Sequence, residues 1–164
     1  MFMNPKEEFI ELITEINKAK GLDELSSRMI GILFIEPREV SLDKLAERTG
    51  YSLSAVSTAM KMLKNSGLVK KLKKPGSKKI YFYMEKDLMN GFLDLLSKKM
   101  QKTVTIMKER VPDIIKKYKS EKGSREEIKI LENYYRQLMA MEKIMKKMIC
   151  IIEDAHRKLE ADKK

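Results

Sequence analysis

The 164-residue chain has no tryptophan, one cysteine (Cys150), one histidine (His156), seven glycines and four prolines. One cysteine excludes a disulfide framework within a copy, and with one histidine it leaves no clustered zinc site. No glycine-rich phosphate loop, paired-histidine metal motif or nucleophile elbow is present, so neither catalysis nor a cofactor is expected. Long apolar runs are missing too. The longest, 29–35, has Gly31 inside it and cannot span a bilayer. The beginning MFMNPKEEF reaches Glu7 and Glu8 instead of an apolar signal segment, so a cytoplasmic protein without a membrane partner is expected. Cys150 sits in the apolar run 148–152 with no resolving cysteine, which predicts a buried, inert thiol instead of a redox switch. His156, beside charged residues, is read as solvated.

The acids are missing from one place above all. The stretch from Thr49 to Lys79 carries eight lysines and no Asp or Glu. The whole chain has a net charge of +11, yet residues 1–50 hold seven basic residues against ten acidic ones. The positive field is therefore concentrated in the middle. Such a field attracts nucleic acid or an anionic membrane, and a Lys-rich composition also fits an archaeal or thermophile source. Hydrophobic residues make up 43% of the chain, enough for one good core with an appended helical element.

Periodicity maps the elements. Phe9, Leu12, Ile13 and Ile16 fall at helical spacing over 5–19. A second helix runs from about Asp23 to Ile35 and stops before Pro37, since proline disfavours helical geometry in the residue preceding it. Ser41 and Ser52 are expected N-caps of a third and fourth helix, which Gly50 and Gly67 end. After Gly67 the period changes to two. Residues 68–74 and 78–84 read as strands around a Pro75-Gly76-Ser77 turn, a hairpin with a basic tip. From Glu85 onward the chain is helical again, with Pro112 expected to kink or divide a helix that reaches Tyr118. Ser124 with Glu127 predicts a capping box opening the last helix.

Ala46, Gly50 and Val56 have the spacing of a helix-turn-helix, with Leu45, Tyr51 and Ala59 as accompanying apolar positions. A basic hairpin directly downstream makes it winged. The predicted fold class is therefore mainly α with a small two-stranded β wing. Its parts are an N-terminal helix at 1–20, a winged helix-turn-helix at 21–85 and a C-terminal long-helix dimerisation region at 86–164. In the fourth helix Val56, Ala59, Met60 and Leu63 form the core face. Ser52, Ser54, Ser57, Thr58, Lys61 and Lys64 are left as candidate contacts to double-stranded DNA, with the N-terminal turn of the helix meeting the major groove. Lys73, Lys74, Ser77, Lys78 and Lys79 are candidate contacts from the wing, where lysine raises affinity without reading sequence. The bland reading of such a lysine run is a solvated face, but a surface kept merely soluble mixes both signs. A reading from another class is a winged-helix adaptor that docks the basic wing on an acidic protein.

Residues 21–87 resemble the DNA-binding domain of the GbsR branch of the MarR-type transcriptional regulators. The resemblance rests on Arg28 with Gly31, Ser41-Leu42-Asp43, Ser52 with Val56-Ser57, Gly67-Leu68-Val69, and Gly76-Ser77-Lys78-Lys79 followed by Tyr81 and Tyr83. It departs at Leu53 and Ser54, where similar proteins often carry Lys-Gly, so no operator preference is carried over. The resemblance implies a homodimeric regulator, a repressor by preference, that responds to a small-molecule effector of unidentified chemistry.

In the last helix Leu131, Tyr134, Leu138, Met141, Met145, Met148, Ile152, Ala155 and Leu159 recur at alternating three- and four-residue steps, the seam of a coiled coil. A homodimer would cover this seam, all of these except Ala155 being the candidate dimerisation residues. The alternative is the helix from Leu88 folded back on it in an antiparallel hairpin. Some similar regulators sense choline through an aromatic cage, for which Tyr118, Tyr134 and Tyr135 are available; on an apolar seam such residues are read as core. Most of the methionines of the last two helices lie at seam spacing and are read as core filler.

Overall fold

A computed structural model describes residues 4–162; the outermost residues of the regions 1–20 and 86–164 lie outside them. The chain divides into two compact units, Met1–Leu88 and Met89–Lys164.

In the first unit, α1 (Pro5–Ala19) begins with proline at its first position and with the Asn4 side chain accepting from the Lys6 N–H at 2.9 Å. Helix α2 (Glu24–Ile35) is capped by Asp23 and ends at Glu36, which takes an extended conformation ahead of Pro37. Then come β1 (Val40–Ser41), α3 (Leu42–Thr49), α4 (Leu53–Ser66), β2 (Val69–Lys73) and β3 (Ile80–Met84). The sheet is antiparallel, with β3 central between β1 and β2. Sequence reading supplies the hairpin of β2 and β3 but not β1, which is two residues long and too short to show a period.

One core joins these elements, with Ile10, Met29, Ile32, Leu33, Leu45, Val56 and Met60 fully enclosed. The most intimate contact is between α1 and α2. A Cβ on Gly31 would lie 2.9 Å from the backbone oxygen of Ile10, so only glycine lets the two backbones approach this closely. That contact turns α1 so that Ile10 and Thr14 are buried, while Leu12 and Ile16, which helical spacing groups with Phe9, are exposed.

An ionic network reinforces the packing. Arg28 of α2 pairs with Glu7 and Glu11 of α1, while Arg48 of α3 pairs with Glu7 and with Glu36. Lys6 reaches Glu36 at 2.6 Å. The hydrogen bond from Lys6 leads in holding the Glu36 carboxyl below its ordinary value of 4.5, with Arg48 adding to it against a desolvation that works the other way. A depressed carboxylate stabilises the fold above its unfolded pKa and loses that contribution as pH falls through the folded value. The stability difference between the wild type and Glu36→Gln is therefore expected to be full at neutral pH and to close below about pH 4.5. Melting temperatures of both proteins across pH 3 to 7 check this (a range set around the carboxylate pKa); a gap that stays constant in acid would refute it.

In the second unit, α5 (Leu88–Asp94) continues through a π-helical segment (Leu95–Met100) into α6 (Gln101–Ser120). Pro112 lies inside α6 and does not divide it. Helix α7 (Arg125–Ala161) packs against α6. Ser124 stands at its N-cap position, but its side chain makes no capping hydrogen bond, so the expected capping box is not formed. Glu142 bridges Lys108 of α6 at 3.0 Å and Lys146 of its own helix at 2.9 Å, and Lys119 meets Glu132 at 2.6 Å.

The apolar residues of α7 fall into two stripes. Leu131, Leu138, Met145 and Ile152 lie with Ile128, Tyr135 and Ile149 on the covered side, and Met145 is 4% exposed. Tyr134, Met141 and Met148 lie on an exposed side with Ile130, Ile144 and Ile151. Leu159 is also exposed. The hairpin with α6 thus covers one half of the expected seam and leaves the other open. Cys150 is exposed, which corrects the buried thiol expected from its apolar neighbours: helical spacing puts it off both stripes, on the side of Lys143, Asp154 and Arg157.

Candidate nucleic-acid interface

The turn between α3 and α4 is made by Gly50, whose φ of 72° is the left-handed conformation, with its N–H donating to the Ala46 carbonyl at 2.9 Å. Ser52 then caps α4, its hydroxyl accepting from the Ala55 N–H at 3.2 Å. Val56, Ala59, Met60 and Leu63 are buried, and their 3.6-residue period fixes what remains outside. Ser54, Ser57, Thr58, Lys61 and Lys64 are all exposed on α4. Tyr51 is exposed as well, and so does not join the apolar packing expected of it. Together with exposed Leu53 and Met62 it adds apolar surface to this face that the charge pattern did not reveal.

The hydroxyls are not equivalent. Thr58 donates to the Ser54 carbonyl at 3.0 Å, which leaves its oxygen as an acceptor. The Ser52 and Ser77 oxygens accept from backbone N–H groups, Ser77 from Lys79 at 3.1 Å, so each keeps a proton to donate outward. Ser54 and Ser57 stand on the exposed face with their side chains available in both senses.

The wing follows from register. Val69, Lys71 and Lys73 pair with Met84, Phe82 and Ile80, so these residues share one face of the sheet, while Lys70 and Leu72 share the other with Tyr83 and Tyr81. Val69 is buried at the base of this hairpin and Phe82 at its middle, whereas Lys71, level with Phe82, and Lys73, nearer the tip, are exposed. The turn itself is closed by the Ser77 N–H donating to the Lys74 carbonyl at 3.2 Å. At the other end, Lys86 donates to the Leu33 carbonyl in the last turn of α2 and lies 4.7 Å from the centre of the Tyr83 ring. Burial pushes its pKa down, and its contacts tie the exit of β3 to the helical layer.

The tertiary structure sorts the lysines. Lys61, Lys64, Lys71, Lys73 and Lys78 are exposed and have no acidic partner among the described residues. Lys74 and Lys79 do have one, in Glu39 and Asp43, and Lys70 approaches Glu85 at 3.8 Å. The acid-free stretch in sequence is thus not acid-free in space. Lys71, which was not among the sequence candidates, belongs with the unpaired set; alternation along an edge strand is the signal that finds it.

Neither Tyr118 nor Tyr134 is buried as core, both being exposed, while Tyr135 is half-buried. Tyr135 lines a cleft of about 400 Å³ between α6 and α7 with Pro112, Ile115, Lys116, Lys119 and Glu132. No helix among the described residues is long and apolar enough to cross a membrane.

Residues 22–70 match the family described as winged helix-turn-helix DNA-binding. Over 100 residues the chain is 27% identical to the HTH-type transcriptional regulator YvaV of Bacillus subtilis (strain 168), a match that covers 61% of this chain and 56% of that protein. It is 25% identical over 100 residues to the HTH-type transcriptional repressor OpcR of the same organism, covering 61% and 54%. The chain therefore spans about half the length of these curated relatives. A crystal structure of a transcriptional regulator is alike in fold at 18% identity, with a TM-score of 0.68 over 92% of this chain and 99% of that one.

Proposed function

We propose that the protein is a sequence-specific, double-stranded DNA-binding transcriptional regulator of the GbsR-like, MarR-type kind, acting as a homodimeric repressor on a palindromic operator. The observation that carries this reading is the exposed face of α4. It presents Ser54, Ser57, Thr58, Lys61 and Lys64, with no acidic residue on the helix, directly behind a capped N-terminus. Hydroxyls and lysine on the first turns of a recognition helix suit base edges in the major groove, and the N-terminal amides suit a phosphate. The wing lysines then hold the duplex by its backbone.

The open stripe of α7 supports the dimer. Ile130, Tyr134, Met141, Ile144, Met148 and Ile151 follow a seven-residue repeat, and a second copy of the same helix matches such a repeat about a two-fold axis. Two recognition helices about one DNA turn apart, roughly 34 Å, would then read a palindrome.

The test is selection of bound sequences from a random duplex pool by the full chain, followed by affinity for the winner and a scrambled duplex at two salt concentrations. The expected result is an enriched palindrome bound about 10³-fold or more tighter than scrambled DNA. Equal, salt-sensitive binding to every duplex with no motif recovered would refute sequence-specific regulation and favour the adaptor with an acidic protein partner.

A further inference from the structure

Between Glu47 and Glu85 the sequence has no acidic residue, yet the fold delivers two carboxylates to the wing. Both come from the segment that carries β1. Glu39 immediately precedes that strand and pairs with Lys74, just after β2; Asp43, in the first turn of α3, pairs with Lys79 at 3.1 Å, just before β3. The pairing of Val40 with Phe82 and of Ser41 with Tyr81 sets this juxtaposition, so the acids brace the hairpin from both sides of its turn. Lys74 is held twice, because its ammonium also lies 4.5 Å from the centre of the Tyr81 ring. The Glu39 carboxyl is correspondingly held below its ordinary value, first by the hydrogen bond from Lys74.

We propose that Glu39 and Asp43 are counter-charges built into the wing, which hold Lys74 and Lys79 along the protein and withhold both from the DNA backbone. The inference rests on the reading of α4 and the wing as a DNA interface, and assigns a role to residues outside it. A phosphate recruiting either lysine must displace a carboxylate, exchanging one charge-assisted contact for another. Lys61, Lys64, Lys71, Lys73 and Lys78 face no such exchange, and they set the electrostatic part of the affinity. The wing is thereby oriented by its paired lysines and made adhesive by its unpaired ones. Its attraction to DNA of any sequence is weaker than its lysine count implies, which favours reading over mere sticking.

The experiment compares the salt dependence of binding to a scrambled duplex for three proteins: wild type, the double variant Glu39→Gln with Asp43→Asn, and a quadruple variant that adds Lys74→Ala and Lys79→Ala. Each lysine that gains a phosphate steepens the slope of log affinity against log salt by about 0.9. The double variant is expected to bind more tightly and to steepen by about 1.8, which makes its loss of affinity between 50 and 200 mM salt roughly tenfold larger. The quadruple variant, which removes whole ion pairs, is expected to keep the wild-type slope. Thermal melts of each variant report on folding, and the quadruple comparison stands even if the double variant is unstable. A quadruple variant flattened by about 1.8, or a folded double variant with the wild-type slope, would overturn the inference. Failure of the wild type to bind any duplex would overturn the reading of the interface itself.

Discussion

Replacing Phe82 with alanine is expected to cost about 3–5 kcal/mol and to unfasten the wing from the helical layer. Phe82 is 5% exposed at the middle of the central strand, opposite Val40 on one side and Lys71 on the other. It packs into the same core as Val56, Met60 and Leu63 of α4. Truncating it opens a cavity where sheet and helices meet, and a domain with total stability of about 5–15 kcal/mol loses a large share of it. Amide exchange along β3 is the direct measurement, because a loss of this size accelerates global opening by roughly two to three and a half powers of ten. Leu72 supplies the control. It lies one residue along β2 from Lys71, on the opposite face and 39% exposed, so Leu72→Ala is expected to shift stability by only about 0.5 kcal/mol. Unchanged exchange in Phe82→Ala would mean that the wing does not depend on this contact.

Placing lysine at both Ile144 and Ile151 is expected to convert the proposed dimer to a monomer of 19.2 kDa. The two side chains are 56% and 67% exposed in a single copy, so their replacement leaves the hairpin with α6 intact. Across a two-fold axis each lysine would be set into an apolar contact near its own copy, where desolvation and like-charge repulsion both oppose association. Sedimentation velocity reads the assembly directly. The functional consequence is larger still: without a linked second half-site, affinity for the palindrome is expected to fall by about 10²–10⁴-fold, while binding to a single half-site changes little. A variant that remains dimeric would place the interface elsewhere, and a monomeric wild type would remove the dimer altogether.

Much of the first unit is legible along the chain because its signals are local. Ser41 and Ser52 act as caps where the pattern placed them, and Gly50 and Gly67 take left-handed conformations at the ends of the helices. The buried face of α4 is the same set of Val56, Ala59, Met60 and Leu63 that helical spacing selects. The choice between a kinked and a divided helix at Pro112 is not written in the local pattern, which allows both; in the structure α6 runs through the proline undivided. Nor is the rotation of α1, which depends on the close approach that Gly31 permits. Arg28 and Gly31, two residues of the second helix that carry the family resemblance, dock α1.

Periodicity and capping chemistry were therefore sufficient for the helix-turn-helix, the hairpin and the outward face of α4, since each depends on residues within a few positions of one another. Partners far apart in the chain needed the folded molecule. It alone sets Glu39 and Asp43 beside Lys74 and Lys79, and so turns an unbroken basic stretch into paired and unpaired lysines. It alone divides the apolar residues of α7 between a stripe packed on α6 and a stripe left open, with Cys150 on neither. The physical reason is common to both cases: a side chain's type is written in the sequence, but its charge balance and its burial belong to whatever the fold brings against it.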